Sequence, residues 1–471
     1  MSTVVCPRSL TGPPGPKGHW LLGSLREFRQ DMLAFYLRIA REYGDVVAFR
    51  LGPRKLVLLN DPESIEQVLV RERSNFIKHY AFRLLRPTLG NGLVVSEGDF
   101  SLRQRRLMQP AFSRQSIESF APVIVDYTAR MLDTWQSGST RDLHADMMKL
   151  AMSIVSKALL GVDTCDRATV VSRSFDVVMQ DFSDRLLSAF PPPFWLPVPR
   201  NLHLKRHVRM LDDVILDIIR QRRADQAETG DLLSMLVQAR EDATKGGMTD
   251  KQLRDEVMTL FLAGHETTAL TLSWTWYVLA THPEVESKLL AELETVLAGR
   301  LPTAADVPRL TYTERVIGES LRLYPPVYFF GREALQDLTI GGYAIAKGTS
   351  VLISQYVTQR DPRYFERPDE FDPDRWKDGL FNRPPNHTYF PFGGGPRICI
   401  GNLLAMLEAV LIVATIVPRF RFELAPEPPV VAWPSITLRP RHGIHAVVRT
   451  RQRSGVASVE KTASRSLPAA T

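Results

Sequence analysis

Phe392-Gly393-Gly394-Gly395-Pro396-Arg397-Ile398-Cys399-Ile400-Gly401 is the stretch on which the reading of this 471-residue chain turns. Three consecutive glycines and a proline continue neither a helix nor a strand, so the chain must turn tightly here. The turn presents one cysteine, with Arg397 two residues before it and Gly401 two after. The apolar run Asn402 to Val417 reads as a buried helix. Cys399 therefore precedes a helix N-terminus, where the dipole and free N–H groups favour a thiolate. Gly395 and Gly401 let the backbone approach something large and flat without a Cβ in the way.

Working outward, a hydrophobic share of 44% and a charged share of 24% are those of a globular protein. Cys6, Cys165 and Cys399 are far apart and odd in number, which excludes a disulfide framework and paired zinc spacing and suits a reducing cytosol. A net charge of +7 is modest for this length, and no aromatic-interleaved basic motif suggests a nucleic-acid partner. Met1 to Leu10 is too short and mixed for a signal sequence or membrane span. The proline-rich lead-in over residues 1–18 is stiff and extended. With no anchor before it, the expectation is a cytoplasmic, monomeric enzyme.

A thiolate in a rigid glycine loop beside a cation is what an axial haem ligand needs. The pattern Phe-x-x-Gly-x-Arg-x-Cys-x-Gly resembles the haem-binding loop of the cytochrome P450 family, in a bacterial-type member. The resemblance spans roughly residues 12 to 450. It implies a mainly α fold with a small β-rich part, one large helical domain over residues 19–450 enclosing haem b, with Cys399 on the iron. Phe392, Gly393 and Gly401 would shape the loop against the cofactor. Residues 451–471, rich in Ser, Ala and Lys/Arg without periodicity, read as a disordered tail.

Thr249-Asp250 reads as an N-cap, and a helical pattern runs to about His282-Pro283, roughly 50 Å at 1.5 Å per residue. His265 and Glu266 near its middle argue against a membrane span, because a charge there costs roughly 2.5–3.5 kcal/mol. Gly264 inside a helix costs about 1 kcal/mol and signals a need for space. Ala263 and Thr267 share a face. A small residue followed by a hydroxyl leaves room for a diatomic ligand with a donor aimed at it, although a helical Thr commonly bonds the carbonyl one turn back. Ala-Gly-x-Glu-Thr-Thr resembles the acid–alcohol pair of oxygen-activating members of the family. That likeness makes Thr267 and Glu266 catalytic and Ala263 a contact of cofactor and substrate. His265, at the variable position, is expected to satisfy a local hydrogen bond.

Glu319 and Arg322 at i and i+3, with Arg375 in Phe371-Asp-Pro373-Asp374-Arg375-Trp376, match the family's structural ion-paired triad. By the same likeness, Arg105, Arg332 and Arg397 bind haem propionates. Ser101 stands where many relatives carry Trp or His, which removes one propionate hydrogen bond. Phe82, Val327, Tyr328 and Ile436 would line the substrate cavity. Arg71 to Glu97 reads as an irregular loop over the haem. Pro191 to Pro199 is an apolar lid-like connection with five prolines, and Arg103 and Arg106 offer a docking surface for an acidic electron donor.

The implied activity is insertion of one oxygen atom from O2 into a lipophilic substrate of fatty-acid or terpenoid type. Electrons would come from NADPH or NADH through a separate ferredoxin or flavodoxin and its reductase. A peroxide-driven peroxygenase, a haem-thiolate isomerase and a haem-based sensor share the thiolate loop and stay open as alternatives. A non-haem membrane protein is the distant remaining reading.

Overall fold

Thr249 opens the longest helix through a capping box. Its Oγ1 accepts from Gln252 N at 3.3 Å, and the Gln252 side chain accepts from Thr249 N at 2.8 Å. The helix, Asp250–Thr281, runs through the core and is buried on nearly every side. Around it pack Leu143–Leu160, Pro199–Asp225, Thr311–Leu323 and Asn402–Ile416. Asn402–Ile416 is strongly apolar and buried from Leu407 onward, as a helix enclosed by others must be. A computed structural model describes residues 12–161, 168–188, 192–225, 231–238, 247–379 and 386–451. Cys6, Cys165, the first eleven residues of the lead-in and the tail beyond 451 lie outside the described residues. Among the described residues no helix is long and apolar enough to cross a membrane.

Apolar alternation bounded by Gly44 and the Gly52 turn produces the hairpin Val46–Leu51 and Arg54–Leu59. The second strand pairs in parallel with Ser350–Ile353, which pairs antiparallel with Phe330–Ala334. The sheet closes on Phe76–Lys78, a three-residue strand inside the stretch expected to be irregular. Its register sets Lys78 opposite Arg332. A second, three-stranded sheet joins Thr140–Asp142, His445–Thr450 and Phe420–Leu424. Beside it the hairpin Ala432–Pro434 with Leu438–Pro440 projects a tip of Ser435 to Thr437. The architecture is mainly helical with small sheets at the periphery, as expected.

Thr311–Leu323 is fastened from behind by ions. Glu319 and Arg322 are both fully buried and pair at 2.8 Å, and Arg375 Nε donates to the same carboxylate at 2.8 Å. Trp376 Nε1 donates to Glu319 at 2.8 Å and the Asp372 N–H at 3.0 Å. Arg322 also donates to the carbonyls of Gln359 and Glu370 at 2.8 and 2.9 Å. A charge pair this deep is tolerable only because nearly every lone pair and proton has a partner.

Candidate active site

The Cys399 loop is held by its own backbone. Cys399 N donates to Phe392 O at 3.0 Å and Ile398 N to Gly395 O at 3.0 Å, closing the turn. Gly393 and Gly395 have φ of +76° and +65°. A Cβ on Gly395 would stand 2.2 Å from the Leu69 carbonyl oxygen, so this glycine answers to the neighbouring chain and not to a flat ligand. A Cβ on Gly393 would enter open space. Asn402–Ile416 begins with Gly401 as N-cap, placing the sulfur just before the helix.

Cys399 is open to its surroundings although protein encloses the loop. Burial pushes its thiol up, against the Gly401 N–H that donates to it and the charge of Arg105. The Gly401 N–H and Arg105 both act in the direction expected of the helix end and the cation, favouring the thiolate against that burial. A metal ion would have to displace the proton.

Across the interior, Ala263 is exposed and Thr267 half-buried, on a helix whose other central residues are almost all buried. Those two positions share one face and look into open volume. Thr267 Oγ1 donates to Ala263 O at 2.6 Å, so the hydroxyl oxygen keeps its lone pairs toward that volume. Glu266 is buried, and its partners all meet one oxygen, Oε1. Thr437 Oγ1 donates to it at 2.5 Å and Arg439 Nε at 2.6 Å, with Arg439 Nη2 ion-paired at 2.6 Å. Arg439 is itself about one-third exposed, so the carboxylate connects the interior with the outside. His265 Nε2 bonds Met148 O at 3.0 Å, and burial lowers its pKa to about 4, which keeps it neutral.

A cationic cluster lies between the sheet and the cysteine loop. Arg332 is buried, donates to Gly331 O at 3.1 Å and stacks over the Phe330 ring at 5.0 Å. Arg397 donates to Phe76 O at 3.1 Å and Glu97 at 2.9 Å. Lys78 Nζ donates to the carbonyls of Leu93 and Ser96 at 2.7 and 2.6 Å. Burial lowers Lys78 to about 8, Glu97 opposing and Arg397 and Arg332 adding to the shift. Arg332 is lowered to about 10 by burial and by Arg397. Like charges facing across a ladder are destabilising, and Glu97 is the one carboxylate bonded within this group of three cations among the described residues. Arg105, on Gly98–Met108, donates to Ile398 O at 2.9 Å and so touches the cysteine loop directly.

The residues fit haem b. A cysteine sulfur open to an interior space, a helix face cleared at Ala263, and buried and half-buried cations in excess of their counter-charges suit an iron centre, a flat ring and two carboxylates. Sequence reasoning missed Lys78, Thr437 and Arg439. Tyr328 requires correction. It is fully buried, donates to Ser435 O at 2.5 Å and packs with Leu33 and Leu438, so it does not line a cavity. Val327 is 36% exposed, while Phe82 and Ile436 are half-buried. Ile436 adjoins Thr437, whose bond to Glu266 brings the hairpin tip to the centre of the long helix.

This fold and this loop define a haem-thiolate oxygenase scaffold. The cytochrome P450 family model matches residues 13–447, and the chain belongs to that family, as a monooxygenase. Cyclooctatin synthase of Streptomyces melanosporofaciens is 37% identical, over 84% of this chain and 87% of its own. Pentalenene oxygenase of Streptomyces avermitilis is 34% identical, over 82% and 86%. The crystal structure of the cytochrome P450DA heme domain superposes with a TM-score of 0.86 at 27% identity, covering 94% of this chain and 98% of that one.

Proposed function

We propose that this protein inserts one oxygen atom from O2 into a terpenoid substrate. The observation that carries the reading is the pairing on one helix turn of Thr267, facing open volume, with Glu266, held by Arg439 and Thr437. The relatives named pentalenene oxygenase and cyclooctat-9-en-7-ol 5-monooxygenase favour terpenoids over fatty acids. Phe82, Val327 and Ile436 supply apolar contacts.

When bound, haem b supplies reductive activation of dioxygen. Cys399 would hold its iron, and Phe392, Gly393 and Gly401 the loop around that sulfur. Arg332 and Arg397, with Lys78 and Arg105, would hold its carboxylates. Ala263 leaves room on the oxygen side. Thr267 presents its hydroxyl oxygen to that space with its proton donated to Ala263 O, and Glu266, one residue away, exchanges protons with water that reaches it beside the partly exposed Arg439. A proton relay of this kind favours oxygenation over the peroxygenase, isomerase and sensor readings, none of which needs one.

Electrons come from NADPH or NADH through a separate ferredoxin or flavodoxin and its reductase. Arg103 and Arg106, with exposed Leu102 and Leu403, offer an acidic carrier a docking face near the cysteine loop. The test is NADPH consumption with added ferredoxin and reductase across a terpene panel. Substrate-dependent consumption with oxygenated product supports the reading. Strong turnover with peroxide alone, unchanged by Thr267→Ala, sinks it.

A further inference from the structure

We propose that the mouth of the substrate path carries an anion-binding site, built by Lys205 and Arg209, that selects a lipophile bearing one carboxylate. The inference rests on the terpenoid reading above and narrows it to acids of that class.

A pocket of about 160 Å³ is lined by Pro87, Phe194, Asn201, Leu204, Lys205, Val208 and Arg209. Leu204 and Val208 form an apolar stripe at i, i+4 on Pro199–Asp225, and Lys205 and Arg209 form a cationic stripe beside it. Phe194, Leu204 and Val208 belong to the same apolar core as Phe82 and Phe261. The apolar part of a ligand would lie along these side chains.

The polar side of the pocket is equally specific. Asn201 is buried and its amide is engaged: Nδ2 donates to the carbonyls of Pro193 and Leu196 at 2.8 and 2.7 Å, and Oδ1 accepts from Arg185. Arg185 also donates to Asp181 at 2.7 Å and Pro192 O at 2.6 Å and lies over the Phe194 ring at 3.9 Å. This network fixes the lid-like connection against the helix that carries the cations. Lys205 and Arg209 have no hydrogen-bond or ion-pair partner among the described residues, and no carboxylate lines the pocket. Two unpaired cations at the rim of an apolar hollow complement a single anionic head on an apolar body.

The test compares farnesoate with farnesol, matched in chain and differing in the head. Binding to the full-length holoenzyme is followed by fluorescence of Trp195, which is 77% exposed and adjoins the pocket residue Phe194, with Trp195→Phe as the control. Calorimetry supplies a second readout. The acid is expected to bind roughly tenfold more tightly than the alcohol, and the preference to shrink as salt rises. In the double variant Lys205→Gln/Arg209→Gln the preference should disappear. Equal binding of acid and alcohol, or a preference that survives the double variant, overturns the proposal. So does saturable binding only to phosphatidylglycerol vesicles, which would make the two cations and exposed Trp195 and Leu202 a bilayer-docking face. Binding needs no turnover, so failure here with intact oxygenation of neutral terpenes would leave the monooxygenase reading standing.

Discussion

Arg439 Nε donates to Glu266 Oε1 at 2.6 Å, and Arg439 Nη2 lies 2.6 Å from the same oxygen. The two residues lie 173 positions apart, and their pairing ties the middle of the long helix to the C-terminal hairpin. Replacing Arg439 with Leu leaves the buried Glu266 side chain without its ion-pair partner. The variant should lose about 3 kcal/mol of stability, as breaking buried pairs generally does. Its yield of product per NADPH should fall as well. Unaltered thermal unfolding together with unaltered coupling would show that the pair matters to neither.

Thr267 donates back to Ala263 O, so its oxygen, not its proton, is the atom freely presented to the open volume. Serving as a donor there requires the hydroxyl to leave that carbonyl. Thr267→Ala should uncouple NADPH consumption from product several-fold with little change in melting temperature, whereas Thr267→Ser should retain most coupling. Full coupling in the alanine variant would remove Thr267 from proton handling.

Lys78 and Arg332 face each other across two strands and repel unless an anion lies between them and Arg397. Replacing either with Met should lower the haem-to-protein ratio after purification and speed haem transfer to apomyoglobin. For the apoprotein alone, Lys78→Met relieves like-charge contact but removes the bonds to Leu93 O and Ser96 O, so its stability should change little. A destabilised apoprotein with unchanged haem retention would assign these cations to the scaffold.

Glu408 lies buried in Asn402–Ile416 with Oε1 unpartnered, and burial lifts its carboxyl from 4.5 to about 8. Between those two values the folded chain holds a proton that the unfolded chain has lost. Stability from this group therefore falls as pH rises through that window and levels off above it. Glutamine mimics the protonated acid. Glu408→Gln should raise the melting temperature by roughly 2–4 °C more at about pH 8.5 than at about pH 5.5. An equal shift at both would mean that Glu408 has the same affinity for protons in both states.

The elements legible in the sequence are those written in local pattern. The glycine loop before Cys399, the capped helix from Thr249 and the i, i+3 pair Glu319–Arg322 each need only a few consecutive residues. Phe76–Lys78 was not legible, because three residues become a strand only when Phe330–Ala334, some 250 positions on, supplies the ladder. Lys78 escaped notice with it. Thr437 and Arg439 were missed because their partner lies on another element, although two residues apart they share one side of an extended chain. Val327 sits in the bend that follows Thr311–Leu323 and is partly exposed, whereas the next residue, Tyr328, is buried. Burial of the Cys399 thiol was equally illegible, because it comes from elements distant in sequence that enclose the loop.

The claim beneath all of this is that the Cys399 sulfur binds haem iron. The most direct measurement is the absorption spectrum of the dithionite-reduced carbon monoxide complex of the wild type and of Cys399→Ser. The wild type should show the strongly red-shifted Soret band of thiolate ligation, and the serine variant should lose it while still taking up haem. A serine variant with the same red-shifted band, or a wild type that stays colourless when supplied with hemin, would contradict the account.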